Sequence, residues 1–233
     1  MARRETASGS HWIPLSDMMM GLMMVFMLLA AVYMIRVDQT TTLVVREYEV
    51  TRSDLRRALQ DSFAENFKEW DAELLGDMTI RFRNPDVLFA TGSAKLNPKF
   101  TAILDEFIPR YVAILSREPF YSATKEVRIE GHTSAFWDNA KDPLDAYMKN
   151  MALSQARTRS TLQYILGLDA IGPQRDWLIA RLTANGLSSS RPIKTSATEG
   201  SQVNNDAASQ RVEFRIVTNA EDRMAKIAEA IKK

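Results

Sequence analysis

Hydrophobic and polar positions divide this chain into three regimes. Residues 18–35 carry no charge, and more than half of the 12 methionines fall inside that run. Extended back to Trp12, the apolar stretch measures roughly 36 Å as a helix at about 1.5 Å per residue. That is enough to cross a hydrocarbon core of about 30 Å. From Asp38 to Gly76 charges return, and Leu55, Leu59, Phe63, Phe67, Trp70 and Leu74 recur at helical spacing. A dimerising helix and a helix packed on the following domain each explain this stripe. Residues 40–45, poor in helix formers, read as a joint. From Met78 the pattern alternates. Residues 79–82, 127–130 and 211–217 read as strands. Pro98 opens a helix whose apolar face is Phe100, Ile103, Leu104, Phe107 and Ile108, and residues 144–166 form a long amphipathic helix carrying Leu153, Ala156, Leu162 and Ile165. Residues 138–143 and 196–208 read as loops. Strand and helix in alternation indicate an α/β fold, an α+β sandwich with helices on a sheet. The expected organisation is a tail (1–11), a transmembrane helix (12–36), a helical linker (37–77), a folded domain (78–220) and a final helix (221–233). Within the linker, residues 38–50 are a candidate plug and the stripe a candidate dimerisation surface.

One residue breaks the apolar run. Asp17 lies near its start, where inserting an acid costs about 2.5 kcal/mol or more, so an intramembrane acid is by default a functional site. Asp17, Gly21, Met24, Leu28 and Ala31 share one helix face. Gly21 lets another helix approach closely. The alternative is that Ser16 or Asp17 merely caps the helix N-terminus. The methionines read as flexible apolar filler.

Composition narrows the function classes. The formal net charge of +1 and the even mixture of acids and bases argue against a nucleic-acid partner. There are no cysteines, hence no disulfides and no thiolate metal site. His11 and His132 lie far apart, without metal-ligand spacing. Arg3 and Arg4 ahead of an apolar run resemble a signal peptide, but the run is too long and no small-residue cleavage site follows, so it reads as an uncleaved anchor. Arg3, Arg4 and the α-amino group on the short side favour a cytoplasmic N-terminus and an exported remainder, a single-pass inner-membrane protein.

The third regime carries motifs in order. Residues 88–96 (Leu-Phe-Ala-Thr-Gly-Ser-Ala-Lys-Leu), Glu130-Gly131-His132-Thr133, the set Asn150, Leu153-Ser154 and Arg157, then Ala184-Asn185-Gly186 with Arg191-Pro192, and finally residues 210–214 resemble the five motifs of OmpA-like peptidoglycan-binding domains. The resemblance covers about residues 78–218 and implies a βαβαβ layout that holds the peptidoglycan stem peptide at its diaminopimelate. It implies Asn150, Leu153, Arg157, Thr133 and Ser134 as binding residues, with Arg157 pairing a ligand carboxylate. The family's acid after Gly-His-Thr is here Ser134, which leaves an acceptor without the charge unless Asp138 or Asp145 replaces it. The alternative for Arg157 is a salt bridge that holds its helix to a loop. His132 reads as ordering the strand end.

The N-terminal half resembles the B subunits of ion-driven stators, of which the flagellar MotB family is the familiar case. The wording of residues 12–26 and 100–115 is closer to their Zorya anti-phage branch, the ZorB family. That resemblance implies a self-dimer of B chains inside five MotA-like, ZorA-type membrane subunits. Asp17 would then carry a transported ion, a proton, and no other cofactor is implied. A flagellar-type stator and a passive tether to the wall are the competing readings. A wall hydrolase is disfavoured, because no carboxylate pair stands out from the solvated charges.

Overall fold

The computed structural model describes residues 12–196, 202–204 and 206–219. The expected tail (1–11) and final helix (221–233) lie outside the described residues, as do the side chains of 37–48, which cover most of the candidate plug. The chain divides between Glu49 and Val50 into two compact units.

The first unit is built on helix α1 (Trp12–Glu69). Its segment Asp17–Arg36 has a mean hydropathy of 2.3 with none of it buried, and it is long and apolar enough to cross a membrane. Met18, Met24, Met27, Leu28 and Met34 are all at least two-thirds exposed. An isolated helix that is apolar on every side is suited to lipid or to packing against other helices, not to water. The backbone stays helical through residues 40–45, where the sequence suggests a joint. The reason is that β-branched residues cost only tenths of a kcal/mol each, and neither Gly nor Pro occurs between Gly21 and Gly76.

The second unit begins inside the same helix. Leu55, Leu59, Phe63 and Phe67 of α1, with Trp70 just beyond it, are buried in the core. After them come β1 (Ala72–Leu74), β2 (Thr79–Phe82), α2 (Pro85–Leu88), α3 (Pro98–Leu115), α4 (Phe120–Ala123), β3 (Thr124–His132) and α5 (Pro143–Gly167). A 3-10 turn, Asp169–Gln174, leads to α6 (Arg175–Ile179), β4 (Leu182–Gly186), β5 (Lys194–Ser196), β6 (Gln202–Asn204), α7 (Asp206–Ser209) and β7 (Arg211–Thr218). The main sheet has the order β1-β2-β7-β3-β4. Its pairings are antiparallel except β3 with β4, which run parallel because α5 crosses between them. Strands β5 and β6 form a separate two-stranded ribbon; β6 falls within the stretch read as a loop, and β5 ends where that stretch begins.

The linker expected over residues 37–77 is therefore corrected: its second part belongs to the folded unit. The Phe63 ring lies 5.2 Å from that of Phe107 on α3, and Trp70 lies 6.4 Å from Phe82 on β2. Burying an apolar side chain of this size contributes about 1.5–3 kcal/mol, so five of them outweigh leaving the stripe in water. Of the two explanations for the stripe, packing on the following domain is the one observed, and its buried residues are not free to form a dimer seam.

Alternation along the strands separates two faces. Ile80, Phe82, Val127, Ile129, Val212, Phe214 and Ile216 enter the core, and Arg81, Glu130, His132, Arg211 and Glu213 occupy the opposite face. Gly131 and Gly186 pair across β3 and β4 where α5 crosses. A Cβ on Gly186 would come within 2.3 Å of the Gln155 backbone nitrogen, and one on Gly131 within 2.6 Å of Thr158 Cγ2. Both positions need glycine because the helix lies directly on the strand backbone.

Candidate functional site

The second-unit candidates converge where β3 ends and α5 begins. Asp142 accepts the Asp145 N–H at 2.8 Å and Pro143 takes the first helical turn, which fixes where α5 starts. Asn150, Ser154 and Arg157 then fall on one face and are buried. The Asn150 Nδ2 donates to the Phe136 carbonyl at 3.1 Å. The Ser134 hydroxyl donates to the same carbonyl at 3.4 Å. Ser154 Oγ accepts the Ser188 N–H at 3.1 Å, and the Thr133 N–H donates to the Ser188 carbonyl at 3.0 Å. Helix, strand end and the turn after β4 are thus tied at Ser188, a non-glycine residue at φ +51°. Leu153, one position before Ser154, is half-buried.

Arg157 serves a different purpose from a salt bridge. Its Nε donates to the Ser93 carbonyl at 2.9 Å and its Nη2 to that of Ala90 at 3.3 Å, while its guanidinium stacks on the Phe89 ring at 4.9 Å. It does hold α5 to the loop, but through carbonyls rather than a carboxylate. It is 7% exposed, and among the described residues no acid lies within ion-pairing distance. Burial works against its charge and lowers its pKa. Just past the end of β3, Thr133 Oγ1 is buried without a hydrogen-bond partner among the described residues. A buried guanidinium lacking a counter-charge among the described residues fits a carboxylate ligand, which the planar fork receives well. Gly131, His132 and Gln210 line a small cavity with Arg157.

Neither acid considered as a replacement at position 134 behaves as expected. Asp145 accepts the Lys141 N–H and pairs with Lys149 Nζ, both at 2.9 Å. These two contacts, the backbone one first, hold its carboxyl below the usual range. It is committed to the start of α5. Asp138 is exposed, and among the described residues it engages nothing.

On the outer sheet face, Glu130, His132 and Glu213 bring their ligand atoms within 4.8 Å of one another. Their carboxylates are already met by guanidinium groups: Arg211 at 2.6 Å and Arg81 at 2.7 Å from Glu213, and Arg191 at 3.2 Å from Glu130. The cluster is a buried ion network that locks β3 to β7, not a charge vacancy for a cation. Burial opposes the Glu213 charge, but the contacts of His132 and Arg211 outweigh it and hold the carboxyl well below its usual range. His132 Nε2 lies 3.5 Å from Glu213, and burial pushes its pKa down despite that acid. Both ring nitrogens of His132 are buried without a hydrogen-bond partner among the described residues.

In the first unit, the structure places Asp17 at the head of the exposed apolar segment, with Gly21 one turn on. Nothing lies within 4 Å of a Cβ on Gly21, so that face is open. Three residues that shape the second-unit site carry no sequence signal of their own: Phe136, Ser188 and Asp206.

No family model matches the chain. The fold is similar to that of a putative MotB-like protein from Desulfovibrio vulgaris, with a TM-score of 0.50, 25% identity, and coverage of 73% of this chain and 93% of that one. An apolar helix ahead of a MotB-like domain defines a stator-like B subunit. The sequence is 40% identical over 230 residues to the Zorya protein ZorB of Escherichia coli strain ATCC 8739, covering 96% of this chain and 94% of that relative. The chain belongs to the ZorB family.

Proposed function

We propose that this chain is the inner-membrane B subunit of a proton-driven rotary motor that acts in anti-phage defence. Residues 12–36 cross the membrane once with the N-terminus in the cytoplasm. The unit Val50–Asp222 grips peptidoglycan through Arg157, Asn150, Leu153, Thr133 and Ser134. Two B chains sit within a ring of five MotA-like, ZorA-type subunits. The observation that carries this reading is Asp17 at the head of the exposed span, in a chain whose other unit has the fold of a MotB-like protein.

The physics suits the residue. In the proposed motor this carboxyl takes up a proton from one side and releases it where a partner opens a wet path to the other. One charge crossing about 100 mV is worth about 2.3 kcal/mol, enough to bias a conformational step. A single helix supplies one side of such a path. The exposed face bearing Asp17 and Gly21 is where the partner closes it.

The test is Asp17→Asn in a phage-plating assay, with membrane fractionation to verify expression and assembly. Loss of protection at wild-type abundance is expected. Full protection by the Asn variant would remove the proton step and leave a passive tether between membrane and wall.

A further inference from the structure

A second acid reaches the wall-binding seam from the far end of the chain. Asp206 opens α7, and its Oδ1 accepts the Ala135 N–H at 3.4 Å, across 71 positions of sequence. Ala135 stands between Ser134 and Phe136, the residues whose hydroxyl and carbonyl shape the loop. We propose that Asp206 is the acidic residue of this site. It receives the ammonium of an amino-acid group whose carboxylate meets Arg157, as the stem peptide presents on its diamino acid. The assignment rests on the peptidoglycan reading above.

Four observations support it. Ser134 is neutral, and its hydroxyl is turned to the Phe136 carbonyl. Asp142 and Asp145 are engaged at the start of α5. Asp206 is exposed, and among the described residues its one long bond to Ala135 leaves most of a carboxylate's acceptor capacity open. Its short helix is anchored: Ser209 is buried and accepts the Ile193 N–H at 2.9 Å, and Gln210 lines the cavity beside Arg157. The remaining loop acid, Asp138, touches no element of the seam among the described residues. A charge moved from position 134 to position 206 keeps one acid and one guanidinium at the site, supplied by different parts of the chain.

The experiment is co-sedimentation of the full-length protein, in detergent, with purified peptidoglycan sacculi. The set is wild type, Asp206→Asn, Asp138→Asn, and Asp206→Asn combined with Ser134→Asp, with melting curves run alongside. Losing a charge-assisted bond to the ligand predicts about a tenfold or greater loss of affinity for Asp206→Asn. The added Ser134→Asp should recover most of that loss, and Asp138→Asn should bind within about twofold of wild type. An Asp206→Asn chain that binds like wild type, or whose loss Ser134→Asp does nothing to restore, overturns the assignment. Failure of wild type itself to sediment with sacculi would instead overturn the peptidoglycan reading on which the assignment stands.

Discussion

Replacing Phe63 by alanine tests whether the helical stripe is core or seam. The Phe63 side chain has no exposed surface. Its ring lies 6.1 Å from Phe67, 6.0 Å from Trp70 and 5.2 Å from Phe107, and the Arg110 guanidinium sits 4.7 Å above it. Truncating a buried Phe costs about 3–5 kcal/mol, the removed surface plus the cavity left behind. For a unit of about 150–250 residues each kcal/mol moves Tm by about 2–4 °C, so the expected fall is roughly 6–20 °C. The assay is thermal unfolding of the full chain in detergent, followed by tryptophan fluorescence at several protein concentrations. Arg57→Ala, in an exposed i,i+3 pair with Asp54, is the control and should change little. A core residue gives a fall that is independent of concentration. A fall that disappears on raising the concentration, or one under about 2 °C, would mean that the stripe is a subunit seam and that the unit does not begin at Val50.

Other outcomes follow from the same geometry. Gly186→Ala drives a Cβ to 2.3 Å from the Gln155 nitrogen, so α5 must lift from β4 at a cost of about 1–3 kcal/mol or more; Tm and sacculus binding should fall together, whereas Gly167→Ala, with open space around it, should leave both intact. Glu213→Gln leaves Arg211 and Arg81 without their shared buried acid and should cost about 3–5 kcal/mol in denaturant titrations. Stability should also depend on pH in two steps. His132 has a folded pKa below its ordinary 6.5, so below that pH the unfolded chain takes up a proton that the folded one refuses, and Tm drops. Glu213, depressed from 4.5, adds a second fall below that pH. His132→Gln should abolish the upper step and keep the lower, and a surviving upper step would assign it elsewhere.

The parts of this fold that the sequence reveals are those with a long period and a two-sided environment. Helix α5 and strands β2, β3 and β7 are legible because each buries one face and exposes or pairs the other. Asn150 and Arg157, seven positions apart, fall on one helix face for the same reason. The destination of the stripe in α1 is not legible, since periodicity shows that a face is apolar without showing what covers it. Strand β1 has three residues, too few for a period to register. Ser188, Phe136 and Asp206 escape because they act at long sequence separations: Ser188 through its backbone N–H to Ser154, 34 positions away, Phe136 through its carbonyl to Asn150, 14 away, and Asp206 through its carboxylate to Ala135, 71 away. Ser134, standing where the resemblance implies an acid, is the one clue in the sequence that a replacement should be sought, and distant residues are the natural place to look once Asp145 is committed to its helix.

The burial of the stripe in α1 also has a mechanical side. A pull applied at Val50 must extract Leu55, Leu59, Phe63 and Phe67 from the core before the chain beyond them lengthens. Between the apolar span ending at Arg36 and the start of the second unit at Val50, residues 37–49 are left to yield. Passing from helical to extended backbone, at about 1.5 and 3.3 Å per residue, they gain roughly 20–25 Å. Elastic give in the proposed motor is therefore confined to one short stretch. Its centre, the run from Thr40 to Val45, concentrates β-branched, poor helix formers and would unwind first under load.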